Sequence, residues 1–285
     1  MQEWNEYRAR RLNLPRTGYI SFSKISKALQ APEYLWAEYG RGRAREATQA
    51  MLDSKRIDLL LLEPEAYKRS VAVSHYENFF RAEAKQWRDE QLAAGRIIIT
   101  AKQHQEDLDL QESVMSHPRV SEIFSNLDWR RHGYATDPDL GLLYSETDLR
   151  TKDGMIGDVK VVQSVDTSAF NAQMFYMHWY VQLGFYGHVD SLIEKRPNRG
   201  NKFFMAVEKF FPYRTRIFTL PGDYDSMAEK IWRKGAEKIV ALRAEDPTFS
   251  KREVWFRESH EIVDLFPEYK HVAYHPDFRD MNLGG

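Results

Sequence analysis

The chain contains no cysteine. That absence excludes disulfides, iron–sulfur clusters and zinc sites held by thiolates, and it fits a reducing compartment. No apolar run approaches the length of a membrane span. The N-terminus, Met1-Gln-Glu-Trp-Asn-Glu-Tyr-Arg8, carries no apolar signal core. These absences lead to the expectation of a cytoplasmic protein with no membrane partner. A Gly-rich phosphate loop is also missing, so an ATP-driven role has no support. No linker rich in Pro, Gly or Ser divides the chain, and no repeat or low-complexity tract occurs. Excess charge of either sign is lacking too, the net charge being −1. Nucleic-acid binders are often basic overall, although a groove can be basic while the outer surface is acidic. The candidate basic pieces are Arg41-Gly42-Arg43-Ala44-Arg45, Arg130-Arg131-His132, and Lys195-Arg196 with Arg199 and Lys202.

What is present supports a substantial core: 285 residues, 42% hydrophobic and 13% aromatic, room for one large domain or two small ones. Residues 1–18 read as a polar arm. Ser21-Phe22-Ser23 opens a helix over Lys24–Leu29; Ser21 and Lys24 have the spacing of a serine–lysine nucleophile pair, but capping explains the serine better. Pro32 to Leu62 reads as helical and ends at Glu63-Pro64-Glu65. Further helices are expected near Tyr76–Ala94, Lys102–Met115 and Arg119–Ser125, with a strand at Ile97–Thr100. The region Trp129–Val162 is β-rich, and Asn171–His188 reads as one helix. Strands follow at Lys202–Val207 and Tyr213–Leu220. Ser226-x-x-Glu229 matches a capping box that opens a helix to about Ala244. The pattern predicts an α/β fold, a mixed central sheet flanked by helices with a helical N-terminal lobe. The expected division is an arm at 1–18, one domain at 19–250 and a C-terminal extension at 251–285.

The chemistry concentrates between Glu146 and Lys160. Alternation along a strand puts Asp158 and Lys160 on one face and Val159 on the other, toward the core. If Lys152-Asp153-Gly154 forms a three-residue loop with Gly154 left-handed, Asp148 lies opposite Asp158 and Glu146 opposite Lys160. Two carboxylates and an ammonium then share a face, a set suited to a hard divalent cation and a water placed for attack on phosphorus. Spacing alone is weak: Asp53-Ser54-Lys55 has it too, in a segment where the side chains diverge. A surface hairpin with ordinary cross-strand charge pairs would also fit. The following helix carries His178, Gln182 and Tyr186, spaced four apart and so on one face, among Tyr176, Trp179, Tyr180 and Phe185. Buried polar groups need partners, and this stripe sits close after Asp158 and Lys160. Together the two motifs favour phosphodiester chemistry. His271 and His275 are also four apart, but Pro276 and the lack of helical pattern make them poor ligands.

These residues resemble the PD-(D/E)xK (restriction-endonuclease-like) nuclease superfamily, in particular the exonuclease VIII-like branch of phage and prophage recombination. The resemblance runs in order over about residues 19–245: Ile20-Ser-Phe-Ser-Lys-Ile25 with Pro32-Glu-Tyr34, Leu59-Leu-Leu-Leu-Glu-Pro-Glu65, Gln86-Trp87, Ile97–Thr100, His117-Pro118, Asp158-Val159-Lys160, Gln182 with Tyr186, Ala206-Val-Glu-Lys209 and Pro212-Tyr213. It implies that Asp148 and Asp158 ligate Mg²⁺ (Mn²⁺ as a substitute) with the Val159 carbonyl, and that Lys160 positions water or stabilises developing charge. Gln182 and Tyr186 would order the site, with His178 assisting. Asp58 stands where the family usually has a metal-binding His, and Glu146-Thr147-Asp148 lacks the family's Pro before the acid. Arg130, Arg131, Lys195, Arg196 and Arg199 become candidate DNA contacts. The implied activity is Mg²⁺-dependent degradation of linear double-stranded DNA from its 5′ ends, in the host cytoplasm if phage-encoded. A homo-oligomer and a single-strand annealing protein are the implied partners. An endonuclease or single-strand-specific nuclease of the same fold, a non-catalytic DNA-binding descendant and a small-molecule metallohydrolase are the alternatives.

Overall fold

The computed structural model describes residues 17–42, 47–128, 131–196 and 202–257. Of the basic candidates, Arg43, Arg45, Arg130 and Arg199 lie outside the described residues, as do His271 and His275, and the side chains of Arg131 and His132 are likewise not described.

The fold is mixed α/β, built on a four-stranded sheet in the order β6-β7-β8-β9. Its strands are β6 (Leu149–Arg150), β7 (Ile156–Val162), β8 (Lys202–Glu208) and β9 (Thr215–Leu220). β7 and β8 run parallel, and the outer pairs are antiparallel. Every residue of β8 is buried, as expected of a central strand covered on both faces. Strand alternation then divides the interior. Ile156, Val162, Phe204 and Ala206 face one apolar core, whereas Val159, Val161, Phe203, Met205 and Val207 face the other. Asp158 and Lys160 belong by alternation to the first face.

Two helices cross over from β7 to β8: α8 (Thr167–Tyr176) and α9 (Trp179–Glu194). α9 packs on α10 (Asp223–Glu245). Their approach depends on Gly184, because a Cβ there would sit 2.5 Å from the Cβ of Ala228. α1 (Phe22–Gln30) packs on the same α10, and Trp255 is fully buried in this core.

The second core is covered by the N-terminal helices. α2 (Glu33–Leu35) leads into a π-helical turn at Trp36–Gly40, and α3 (Gln49–Leu62) and α4 (Pro64–Ser70) follow. The continuous helix expected from Pro32 to Leu62 is therefore broken. β2 (Val71–Ser74) and β3 (Ile97–Thr100) pair in parallel around α5 (Ala82–Ala93). Thr100 and Gln103 then form a reciprocal capping box that opens α6 (Ala101–Met115), with α7 (Pro118–Ser125) after it. Ser21 precedes α1 but its hydroxyl makes no cap bond, and Lys24 bonds the Tyr19 carbonyl at 2.6 Å, so those two residues form no pair. The helix expected to open at the Ser226 capping box begins earlier, at Asp223.

The remaining sheet joins β1 (Ile20–Ser21), β5 (Gly141–Thr147) and β4 (Arg131–Asp137) in the order β1-β5-β4. The chain leaves this sheet at Thr147 and enters the larger one at Leu149. Asp148 is the residue at the crossing.

A buried arginine ties β6 to α9. Arg150 Nε donates to Asp190 Oδ1 at 2.8 Å and Nη1 to Asp128 Oδ2 at 2.7 Å, with Glu194 at 3.5 Å from Nη2. Arg150→Met removes the guanidinium from the carboxylates of Asp190 and Asp128. We expect it to lower stability in urea unfolding by about 3–5 kcal/mol, the usual result of removing one partner of a buried pair. An unchanged midpoint would mean that the network contributes nothing.

Candidate functional site

The predicted register of the β6–β7 turn is present. Leu149 pairs with Gly157 and Arg150 with Ile156. Gly154 takes φ +88°, which only glycine adopts without strain. Extending the pairing by one residue sets Asp148 opposite Asp158. One expectation is corrected: Glu146 does not pair with Lys160, because it belongs to β5, where it is the register partner of His132. Its carboxylate accepts from the Tyr144 hydroxyl at 3.2 Å. The hairpin splits between two sheets: β5 pairs with β4 through Thr147, and the chain pairs with β7 only from Leu149.

Asp158 is nearly sealed, at 2% exposure. Its Oδ2 forms an ion pair with the Lys160 ammonium. Lys160 Nζ also donates to Gln182 Oε1 at 3.1 Å and lies 5.2 Å from the centre of the Trp179 ring. The Gln182 amide nitrogen is 2.8 Å from the Tyr186 hydroxyl and 3.4 Å from Asp158 Oδ1. Asp148 turns inward, its Oδ2 accepting from the Val159 N–H at 3.0 Å. Asp158, Lys160, Gln182 and Tyr186 thus form one connected polar chain, with Asp148 beside it on the Val159 N–H.

The electrostatics follow from this crowding. Burial, reinforced by the charges of Asp148 and Asp58 and opposed by Lys160, pushes the Asp158 carboxyl up to about 7. Burial and the nearby Asp158 charge hold the Tyr186 phenol well above its ordinary value, so it is neutral. Asp58, on α3, is therefore an electrostatic neighbour of Asp158, although 100 residues separate them in sequence.

His178 is a second correction. It does not extend the Gln182–Tyr186 face; it is the residue before α9, left-handed at φ 54°, where the single helix expected from Asn171 to His188 breaks in two. Burial lowers its imidazole pKa, so the ring is neutral at pH 7. Lys195 ends α9, also left-handed, and Arg196 reaches toward Gly154, at the opposite end of β7 from Val162. The structure does not bring these two cations to the carboxylates. Asp53 and Lys55 diverge on α3, with Asp53 held by Gln49 and Arg56.

Sequence reasoning missed the role of Trp179 as a wall beside Lys160. It also missed two buried polar clusters, Asp137 with His188 at 2.8 Å and Arg56–Asp107 with the Tyr67 hydroxyl 2.6 Å from Asp107. Their partners lie 40 or more residues apart, so no local pattern announces them.

The donor chemistry suits a hard divalent ion: Asp58, Asp148 and Asp158 carry carboxylate oxygens whose mutual repulsion a cation would relieve. Their present orientations do not complete such a site. Among the described residues no three acidic or imidazole side chains converge as a metal-binding group. Asp148 Oδ2 is engaged by the Val159 N–H and Asp158 Oδ2 by Lys160, so one oxygen of each carboxylate is already held inside the chain.

No family model matches the sequence, and no curated protein matches it. Among solved structures, the crystal structure of "Putative exonuclease" from Eubacterium rectale matches over 88% of this chain and 91% of that one, with TM-score 0.55 and 13% identity. The protein SSO0001 gives TM-score 0.28 at 14% identity over 77% of this chain and 84% of that one, too slight a likeness to carry an argument. Among the described residues no helix is long and apolar enough to cross a membrane. The chain therefore shares the mixed α/β fold of the Eubacterium rectale protein across most of both lengths.

Proposed function

We propose that this protein is a metal-dependent deoxyribonuclease, an exonuclease of linear double-stranded DNA. The observation that carries the reading is the chain Asp158–Lys160–Gln182–Tyr186, set beside Asp148 on a buried strand. The fold shared with a protein named as an exonuclease supports it. The order of motifs shared with the exonuclease VIII-like PD-(D/E)xK nucleases supports 5′-to-3′ polarity, ring-like homo-oligomers and work alongside a single-strand annealing protein.

In this reading Asp58, Asp148 and Asp158 hold Mg²⁺ or Mn²⁺, with the Val159 carbonyl. When bound there, such an ion would supply positive charge to offset the negative charge of the phosphodiester and would favour deprotonation of water. The chain's own part is positional. Gln182, fixed by Tyr186, holds the Lys160 ammonium at the acidic cluster. From there Lys160 donates to the attacking water or to a phosphate oxygen as negative charge grows, a contribution strongest where the surroundings are dry. Water attacks phosphorus, the P–O bond to the next nucleotide breaks, and the departing oxygen leaves as a hydroxyl. Neutral Tyr186 keeps the amide oriented without adding charge.

The test uses linear duplex labelled at a 5′ or a 3′ end, beside a closed circle, with Mg²⁺ and with chelator. Early release of 5′ label from linear DNA, abolished by EDTA and restored by Mg²⁺ or Mn²⁺, is the expected result. Nicking of the circle would make the protein an endonuclease. No cleavage by folded protein with either metal would remove the enzyme reading.

A further inference from the structure

The tip between β8 and β9 presents two adjacent phenylalanines to solvent, Phe210 at 58% and Phe211 at 84% exposure. Large apolar side chains exposed together mark an interaction site when nothing about the tip is loose. This tip is fixed. The Tyr213 N–H donates to the Phe210 carbonyl at 2.8 Å, and the Ser113 hydroxyl of α6 reaches the Tyr213 carbonyl at 3.3 Å. Tyr213 itself is buried in the second core. At the base of the tip, Glu208 accepts from Arg214 at 2.6 and 2.9 Å and from the Val165 N–H at 2.9 Å. The two rings are thus held outward by an ordered frame.

The surroundings carry charges of both signs, with exposed cations next to the rings. Lys209 Nζ lies 4.7 Å from the centre of the Phe210 ring. Arg214 also bonds Asp166 at 3.2 Å, and Arg216 bonds the Thr167 hydroxyl at 3.2 Å. Arg214 is thus held by Glu208 and Asp166, and Glu106 and Asp109 act on Tyr213 from α6, while Lys209, beside the Phe210 ring, and Arg216 remain exposed. The sheet register relates this surface to the candidate site. Lys160 pairs with Ala206, and Ala206 with Arg216, so Lys160 and Arg216 share one row and one face. Glu208, the last residue of β8, lies two residues beyond Ala206, roughly 7 Å along the strand at about 3.3 Å per residue, and Phe210 follows in the bend after it.

We infer that the β8–β9 tip is a contact for single-stranded nucleic acid, with Phe210 and Phe211 stacking on bases and Lys209 and Arg216 meeting the backbone between the tip and Lys160. The inference deepens the nuclease reading and rests on it: the occupant is the unpaired strand entering or leaving the same site. Aromatic faces interleaved with cations are how proteins hold single strands without reading sequence. A second copy fits less well, since a two-fold contact through this tip brings Lys209 and Arg216 near their own counterparts.

The test compares full-length wild type, F210S/F211S and F210W/F211W. Binding of a labelled oligothymidylate of about 12 nucleotides is followed by anisotropy in EDTA. Hydrolysis of bis(4-nitrophenyl) phosphate with Mn²⁺ is measured on the same preparations, with their sedimentation. The Ser pair should bind ten- to a hundredfold more weakly and the Trp pair within about threefold of wild type. Phosphodiester hydrolysis should be equal in all three, since neither ring is near Lys160. Equal affinity across the three proteins would overturn the inference. So would a wild-type oligomer that the Ser pair dissolves with DNA affinity unchanged. Wild type that hydrolyses no phosphodiester while the binding loss holds would instead defeat the nuclease reading and leave the strand contact standing.

Discussion

Lys160→Ala should abolish DNA hydrolysis, by a factor of about 10³ or more, while DNA affinity stays within about threefold. The size follows from where the ammonium sits. It lies between Asp158 Oδ2 and Gln182 Oε1 and against the face of Trp179, with its side chain only 15% exposed. A cation in so dry a position stabilises developing negative charge far more than one in water, and removing a single such donor typically costs 10²–10³ in rate. A second loss adds to the first. Lys160 is the main group opposing protonation of Asp158, so without it the carboxyl rises further and stays protonated at neutral pH. Binding is expected to survive because most affinity for DNA comes from many phosphate contacts spread over the surface. Single-turnover cleavage of end-labelled duplex, beside equilibrium binding in EDTA, measures the two quantities separately. Retained cleavage would mean that the chemistry lies elsewhere, and a parallel loss of binding would make Lys160 a DNA anchor.

How much of this site the sequence carries can be traced residue by residue. The loop Lys152-Asp153-Gly154 determines the register arithmetically, because a left-handed Gly at the third position closes the turn in one way. The ladder Leu149–Gly157 and Arg150–Ile156 follows that register, and Asp148 accepts from the N–H of Val159, next to Asp158. The position of Glu146 depends instead on β4 and β1, whose claim on β5 no local pattern reveals. The break at Met177–His178 was hidden for a different reason. The segments on both sides are apolar over much of their circumference, with nine buried residues in α9, so periodicity has little contrast to lose there. Neither Gly nor Pro marks the turn; His178 adopts the left-handed conformation itself. The Gln182–Tyr186 pair survives because both residues lie past the break, one turn apart. Asp58 reaches the site only through packing of α3 over β7. The ordered resemblance pointed to that position, whereas spacing never could.

Asp158→Asn should abolish cleavage and yet make the metal-free protein harder to unfold at pH 8. The sign follows from the direction of the shift. The folded carboxyl is raised to about 7 from an ordinary value of 3.8, chiefly by burial and then by Asp148 and Asp58, with Lys160 pulling the other way. Below about pH 4 both folded and unfolded chains hold the proton, and the group contributes nothing. Between about 4 and 7 the unfolded chain releases a proton that the folded chain keeps. Stability from this group therefore falls as pH rises, and the full penalty is reached above 7. Asparagine does not titrate, so the variant escapes the penalty; its oxygen still accepts from Lys160, while its amide nitrogen faces the Gln182 N–H, another donor, which offsets part of the gain. Leaving Lys160 without its carboxylate offsets a further part, so the net advantage at pH 8 should be about 1–3 kcal/mol, or roughly 3–10 °C in Tm. The advantage should shrink steadily toward pH 4. Added Mg²⁺ should raise the Tm of wild type at pH 8 and not that of the variant, because an ion binds the folded carboxylates only. Thermal scans in EDTA at pH 5 and pH 8 provide the measurement. A variant equally destabilised at both would show that Asp158 is ionised and held favourably by Lys160. A variant that gains only at pH 8 would identify a carboxyl kept at a cost in stability, which a folded protein tolerates where activity requires it.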